Sequence, residues 1–173
     1  MAALVWLSSL AGCTTPDPGD EYEDIPTWCD PTREWSDVSR TLEDDVRLLI
    51  NEYRSGGAKC GGETFAPAAP LSMAPKLRCA ARMHSADMAA LDYYGHESPD
   101  GEDLEDRLAL AEYEHWSAVE ALARQSEDAE DIVAAWLANP SECRKIMSPE
   151  YDELGVGFVR PPLWTVVLAA PVD

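Results

Sequence analysis

Cations are scarce in this chain: 13 lysines and arginines stand against 33 aspartates and glutamates over 173 residues, a formal net charge of −20. A surface this acidic repels phosphate, which excludes nucleic acid and anionic headgroups as partners for most of it. Long apolar runs are also missing. No stretch of about 18 apolar residues exists, so no segment reads as a membrane-spanning helix. The HExxH, P-loop, strand-following GxGxxG and GxSxG patterns are absent. Histidine is limited to His84, His96 and His115, so any general base or metal-binding imidazole comes from these three.

What is present points to one folded domain. The chain is 46% hydrophobic, too apolar for a disordered polyacid, and long enough for a single core. Met1 to Gly12 is apolar and ends in Leu10-Ala11-Gly12-Cys13. Small residues before an acylatable thiol resemble the lipobox of bacterial lipoproteins, although the usual basic start is missing. The expectation is a signal peptide over residues 1–12 and a lipidated Cys13. Thr14 in place of Asp favours the outer over the inner membrane. Residues 14–24, rich in Pro, Asp and Glu, read as a self-repelling tether. Residues 13–40 together form the anchor, tether and approach to a domain spanning 41–173. With Cys13 set aside, Cys29, Cys60, Cys79 and Cys143 make an even set, which in an exported chain argues for two disulfides of unspecified pairing. No two of the four are close enough in sequence to suggest a thiolate metal site.

Periodicity predicts a helix from Thr41 to Gly56-Gly57, with a Thr41/Asp44 cap and a buried face of Val46, Leu49, Ile50 and Tyr53. Residues 61–70 read as loop or extended chain. A second helix, capped by Ser72 and running to about Tyr93, would turn Leu77, Ala80, Ala81, His84, Met88 and Leu91 inward. A short helix is expected over 103–110. A fourth, capped by Ser126, has Ile132, Val133, Trp136 and Leu137 inside and stops at Asn139-Pro140. Two strands, 155–159 and 163–170, close the chain around a Pro161-Pro162 turn. Without a βαβ rhythm, the class is α+β.

A set of ordered motifs then carries a resemblance. It comprises Asn51 and Arg54; Ala81 to Met88; Tyr94-Gly95-His96-Glu97-Ser98-Pro99-Asp100-Gly101; Asp106-Arg107-Leu108; Trp136; Asn139 to Met147; Gly155-Val156-Gly157; and Trp164-Thr165. Over roughly residues 41–170 they are similar to the CAP superfamily of cysteine-rich secretory proteins, antigen 5 and pathogenesis-related 1 proteins, in a bacterial lipoprotein form. The resemblance implies an α-β-α sandwich around a largely antiparallel sheet. It also implies a cleft with two histidines and a glutamate, which in some members holds a divalent metal. His96 matches the first histidine. The family's Gly-Glu-Asn-Ile-Ala motif falls on Val119 to Ala123, keeping Glu120 and losing its Gly and Asn neighbours. The Ser-x-Gly-His motif falls on Asn139 to Glu142, so Glu142 replaces the second histidine, and a further acidic position is Asn139.

One imidazole with two carboxylates (His96, Glu120 and Glu142) would suit calcium, magnesium or manganese better than zinc, or no ion at all. Without a cation, Glu120 and Glu142 held close would repel and one would keep its proton. His84 reads as a satisfied core residue and His115 as a solvated one on a loop; the acids of 100–103 lack the ordering of a calcium loop. The degraded motifs favour a non-enzymatic binding module for a small apolar ligand, a peptide or an envelope protein. A metal-dependent hydrolase using His96 and Glu120 is the alternative, and a bare surface spacer a third. From Asp92 to Asp131 there are 14 acids and two basic residues, Arg107 and Arg124, so the cleft should reject anions and tolerate cations or neutral ligands.

Overall fold

In the computed structural model the described residues are 24–172; the Met1–Gly12 leader, Cys13 and the tether up to Glu23 lie outside them. After a 3-10 turn over Thr27–Thr32, the elements are α1 (Asp37–Gly56), β1 (Ala58–Cys60), β2 (Glu63–Phe65), β3 (Ser72–Met73), α2 (Pro75–Leu91), α3 (Leu104–Leu110), β4 (His115–Arg124), α4 (Ala129–Ala138), α5 (Pro140–Met147), β5 (Glu153–Val159) and β6 (Leu163–Pro171). The four-stranded sheet runs β3-β5-β6-β4, antiparallel except for the short β3–β5 pairing. This is the expected α+β sandwich.

Period-two alternation sorts the sheet's side chains into two cores. Leu154, Val156 and Phe158 of β5, Trp164, Val166 and Leu168 of β6, and Ala121 and Ala123 of β4 pack with α1, α4 and α5. Val167 and Ala169 of β6 pack on the other side with Leu77, Ala80 and Ala81 of α2 and Leu108 of α3. On that second face β5 presents Gly155 and Gly157. A Cβ on Gly155 would collide with the backbone of Leu77 and Arg78, and one on Gly157 with that of Ala81 and Arg82. Two strand positions and one helical turn advance by nearly the same distance, so the glycines let α2 lie directly on the strand.

Several boundaries differ from expectation. Helix α1 starts at Asp37 because the Ser36 hydroxyl accepts from Ser39 N–H, while the Thr41 hydroxyl bonds back to the Asp37 carbonyl and caps nothing. Its buried stripe is Ser39, Glu43, Val46, Ile50 and Arg54, which leaves Tyr53 exposed. Ser72 lies in β3; α2 begins with Pro75 at its first position and ends at left-handed Asp92, with Leu91 outside. Asp128, not Ser126, caps α4. Asn139-Pro140 ends α4 but also starts α5, the Asn139 side chain accepting from Ser141 N–H. His115 opens strand β4 and is half-buried, with Nε2 3.1 Å from Glu105, rather than on a solvated loop.

Polar groups inside the fold act as clamps. Glu43, fully buried, accepts from Trp35 Nε1, Arg78 Nε, Arg82 Nη2 and the Phe158 N–H, joining α1, α2 and β5. Burial pushes its carboxyl upward while the two guanidinium groups pull it back. Arg54 donates to the carbonyls of Ala69, Ile146, Ser148 and Tyr151, and Asn51 bonds both backbone groups of Leu71. The Asn51/Arg54 pair thus ties two irregular segments to α1. Disulfides join Cys29 to Cys79 and Cys60 to Cys143, with Cα separations of 5.7 and 5.4 Å.

Candidate functional site

Glu120 occupies the middle of β4, opposite Val167 of β6, and alternation turns its side chain toward the α2/α3 layer. The side chain is only 3% exposed. Its Oε1 lies 2.7 Å from His96 Nδ1 and its Oε2 3.0 Å from Arg107 Nη2. A carboxylate only accepts, so His96 Nδ1 carries the hydrogen. Arg107 is delivered by α3, whose start is fixed by reciprocal Asp103/Asp106 capping. It also donates to the carbonyls of His96 and Glu102, pinning both ends of the loop that bears His96. Its Nε is buried with no partner among the described residues.

His84, 1% exposed on α2, stands behind this pair with Nε2 3.7 Å from Glu120 Oε1. Nε2 donates to the Gly95 carbonyl at 3.0 Å. Burial lowers the His84 pKa, and the nearby Glu120 charge only partly offsets it, so the ring is held neutral. Beside it, Tyr93 donates to Asp87 at 2.7 Å, and burial raises its phenol. His84 is therefore a satisfied interior histidine that supports the loop after α2. The His96 ring is 59% exposed. The result is an outward imidazole oriented by an inward carboxylate, whose charge is already matched by Arg107.

The structure brings His96 and Glu120 together and does not bring Glu142 to them as a third ligand. Among the described residues no three His, Cys, Asp or Glu side chains form a group that would hold a metal ion. The apolar face of α5 packs with Ala121, and its polar residues Glu142 and Lys145 stand at the edge of β4 rather than at the Glu120 carboxylate. Glu142 instead meets Lys145 Nζ at 2.9 Å, and the same ammonium donates to the Glu120 backbone carbonyl at 2.7 Å. The expected repulsion between two bare carboxylates does not arise, because each has its own cation. Arg107 and Lys145 lay within the resembling motifs without an assigned role. Arg107 was visible as one of two cations in the acidic block.

The family model of the cysteine-rich secretory protein family, CAP, matches residues 48–168. The chain belongs to the CAP family. This CAP chain is 29% identical over 131 residues to the uncharacterized protein YkwD of Bacillus subtilis (strain 168), covering 75% of this chain and 47% of that one. It is 26% identical to the uncharacterized membrane protein YlbC of the same organism, covering 73% and 34%. The CAP chain therefore spans half or less of the length of these relatives. Among solved structures it is similar to an extracellular SCP-domain protein of Bacillus anthracis, with TM-score 0.68, 23% identity, and 76% and 41% of the two chains covered. An outer surface protein of Borrelia burgdorferi matches with TM-score 0.59 and 14% identity over 77% and 92%. At these identities the structural likeness establishes the shared CAP fold. Among the described residues no helix is long and apolar enough to cross a membrane.

Proposed function

We propose that this CAP chain is an exported, envelope-anchored module that works by contact with a small apolar ligand or a peptide, and not by catalysis. One observation carries the reading: both oxygens of the buried Glu120 are engaged, one by His96 and one by Arg107. A carboxylate neutralised by a guanidinium stabilises an imidazolium poorly and competes weakly for a metal, so the pair locks the loop in place. Two oxidised cysteine pairs, the lipobox-like Leu10 to Cys13, and one extracellular and one outer-surface structural relative support export and anchoring. The favoured address is the outer membrane.

A second reading retains one favourable observation. An exposed imidazole oriented by a buried carboxylate is also how a general base is held, and a metal-dependent hydrolase would use His96 and Glu120 in that way. Calorimetric titration of the full chain with zinc, calcium and manganese separates the two. Weak or no binding is expected; a tight one-to-one zinc signal lost in His96→Ala would establish the hydrolase site instead. Labelled palmitate should enter the wild type and not Cys13→Ser, and equal labelling of both would remove the anchor.

A further inference from the structure

Strand β4 is the outer strand of the sheet, and only half of its free edge is closed. At its C-terminal half, Lys145 Nζ donates to the Glu120 carbonyl and Trp136 Nε1 to the Leu122 carbonyl. At its N-terminal half the edge is open. Ala118 pairs with Ala169, and Ala169 gives its carbonyl to Asp152 on the β5 side of β6. Opposed residues of an antiparallel pair turn their backbone groups either toward each other or apart, and with Ala169 facing β5, Ala118 turns its N–H and C=O away from β6. Among the described residues no hydrogen bond covers them. Soluble proteins guard such edges with lysine or proline. His115-Trp116-Ser117-Ala118-Val119 contains neither, and Trp116 is 79% exposed.

At the start of β4, reaching the strand at His115, lies a groove of about 1040 Å³ lined in part by Glu105, Glu112, Glu114, Tyr113 and Val172. Its one lysine, Lys76, donates to the Glu112 carbonyl. We propose that the open edge of β4 around Ala118, with Trp116 as anchor and the adjoining acidic groove, receives an extended basic peptide as an added strand. This rests on the binding-module reading and names its partner. Charge complementarity selects the occupant. A second copy brings another net −20, and this chain's own residues 14–23 carry four acids and no base, so the groove repels both. An incoming strand pairs with the free N–H and C=O of Ala118, its lysines or arginines meet the three glutamates, and the Trp116 indole covers its apolar side.

The test uses the full chain and a peptide of about ten residues alternating lysine and valine, a strand-forming pattern. An acidic counterpart and a proline-interrupted one serve as controls. Binding is read by titration calorimetry and by the blue shift of Trp116 fluorescence, taken as the difference from Trp116→Phe. Only the basic alternating peptide should bind, less tightly as salt is raised. Ala118→Pro removes the outward N–H without touching the β6 ladder and should weaken binding about tenfold. Trp116→Ala should abolish most of it, with urea midpoints of both variants reporting that the fold is kept. Equal binding by Ala118→Pro, no binding by the wild type, or self-association lost in Ala118→Pro would each overturn the proposal. Mass spectrometry of the recovered peptide separates this from the parent reading. An intact, unbound peptide overturns the edge site alone, and cleavage that requires His96 overturns the non-enzymatic reading.

Discussion

Arg107 Nη2 sits 3.0 Å from Glu120 Oε2, with the two side chains 1% and 3% exposed, and this ion pair is what keeps the His96 loop on the sheet. Removing one member leaves the other charge buried and alone. Arg107→Met or Glu120→Met should each cost roughly 3 to 5 kcal/mol in urea denaturation. The double variant should recover a large part of that loss, because no bare charge remains. Additive losses in the double variant would show that the two residues act independently.

Stability should fall on mild acidification through His84. Its folded pKa lies below the ordinary 6.5, so between these values the unfolded chain binds a proton that the folded chain does not. The contribution is therefore complete above about pH 6.5 and is lost as pH falls below it. Urea midpoints measured from pH 8 down to pH 5 should drop more steeply for the wild type than for His84→Gln, which does not titrate. Parallel curves would locate the acid sensitivity elsewhere, for example among the carboxylates.

Gly157→Ala places a methyl group against the backbone of Ala81 and Arg82, where no flexible side chain can yield. The loss should be about 3 kcal/mol, read as a lowered melting temperature. Gly62→Ala, whose Cβ would meet nothing within 4 Å but whose φ is +97°, should show a smaller loss from backbone strain alone. Equal effects at the two positions would argue against direct helix-on-strand packing.

Non-reducing peptide mapping should recover Cys29 linked to Cys79 and Cys60 linked to Cys143, and no crossed pair. The bridges close loops with sequence separations of 50 and 83. Replacing either pair by alanine should lower stability by roughly 2 to 5 kcal/mol. A free thiol at any of the four positions in the exported protein would contradict the pairing.

The two C-terminal strands were legible because β-branched and aromatic residues alternate there on either side of a proline turn. Helix α2 was legible from its apolar spacing. Strand β4 was not. Its sequence, His115-Trp116-Ser117-Ala118-Val119-Glu120-Ala121-Leu122-Ala123-Arg124, is rich in alanine and locally suits a helix as well. Only the long register against β6 makes it a strand. Of the site, His96 and Glu120 were readable by resemblance. The partners were not, since Arg107 and Lys145 are defined by contacts 13 and 25 residues away. Glu43 escaped notice for the same reason: its partners are 35, 39 and 115 residues distant, and an acid within a helix otherwise reads as a solvated face. Glu142 shows the converse, a sequence match to a site position whose carboxylate is taken up by Lys145 of its own helix.

The Cys29–Cys79 bridge also fixes how the domain bears mechanical load. Tension drawn from the N-terminal side of Cys29 toward the C-terminus crosses the disulfide and enters the fold in α2 at Cys79. Residues 30–59, with all of α1 and its Glu43 and Arg54 clamps, lie off the shortest covalent route, which runs from Cys79 back to Cys60 and across the second bridge to Cys143. Residues 80–142 are bypassed in the same way, which leaves residues 60–79 and the chain beyond Cys143, with β5 and β6, to bear the pull.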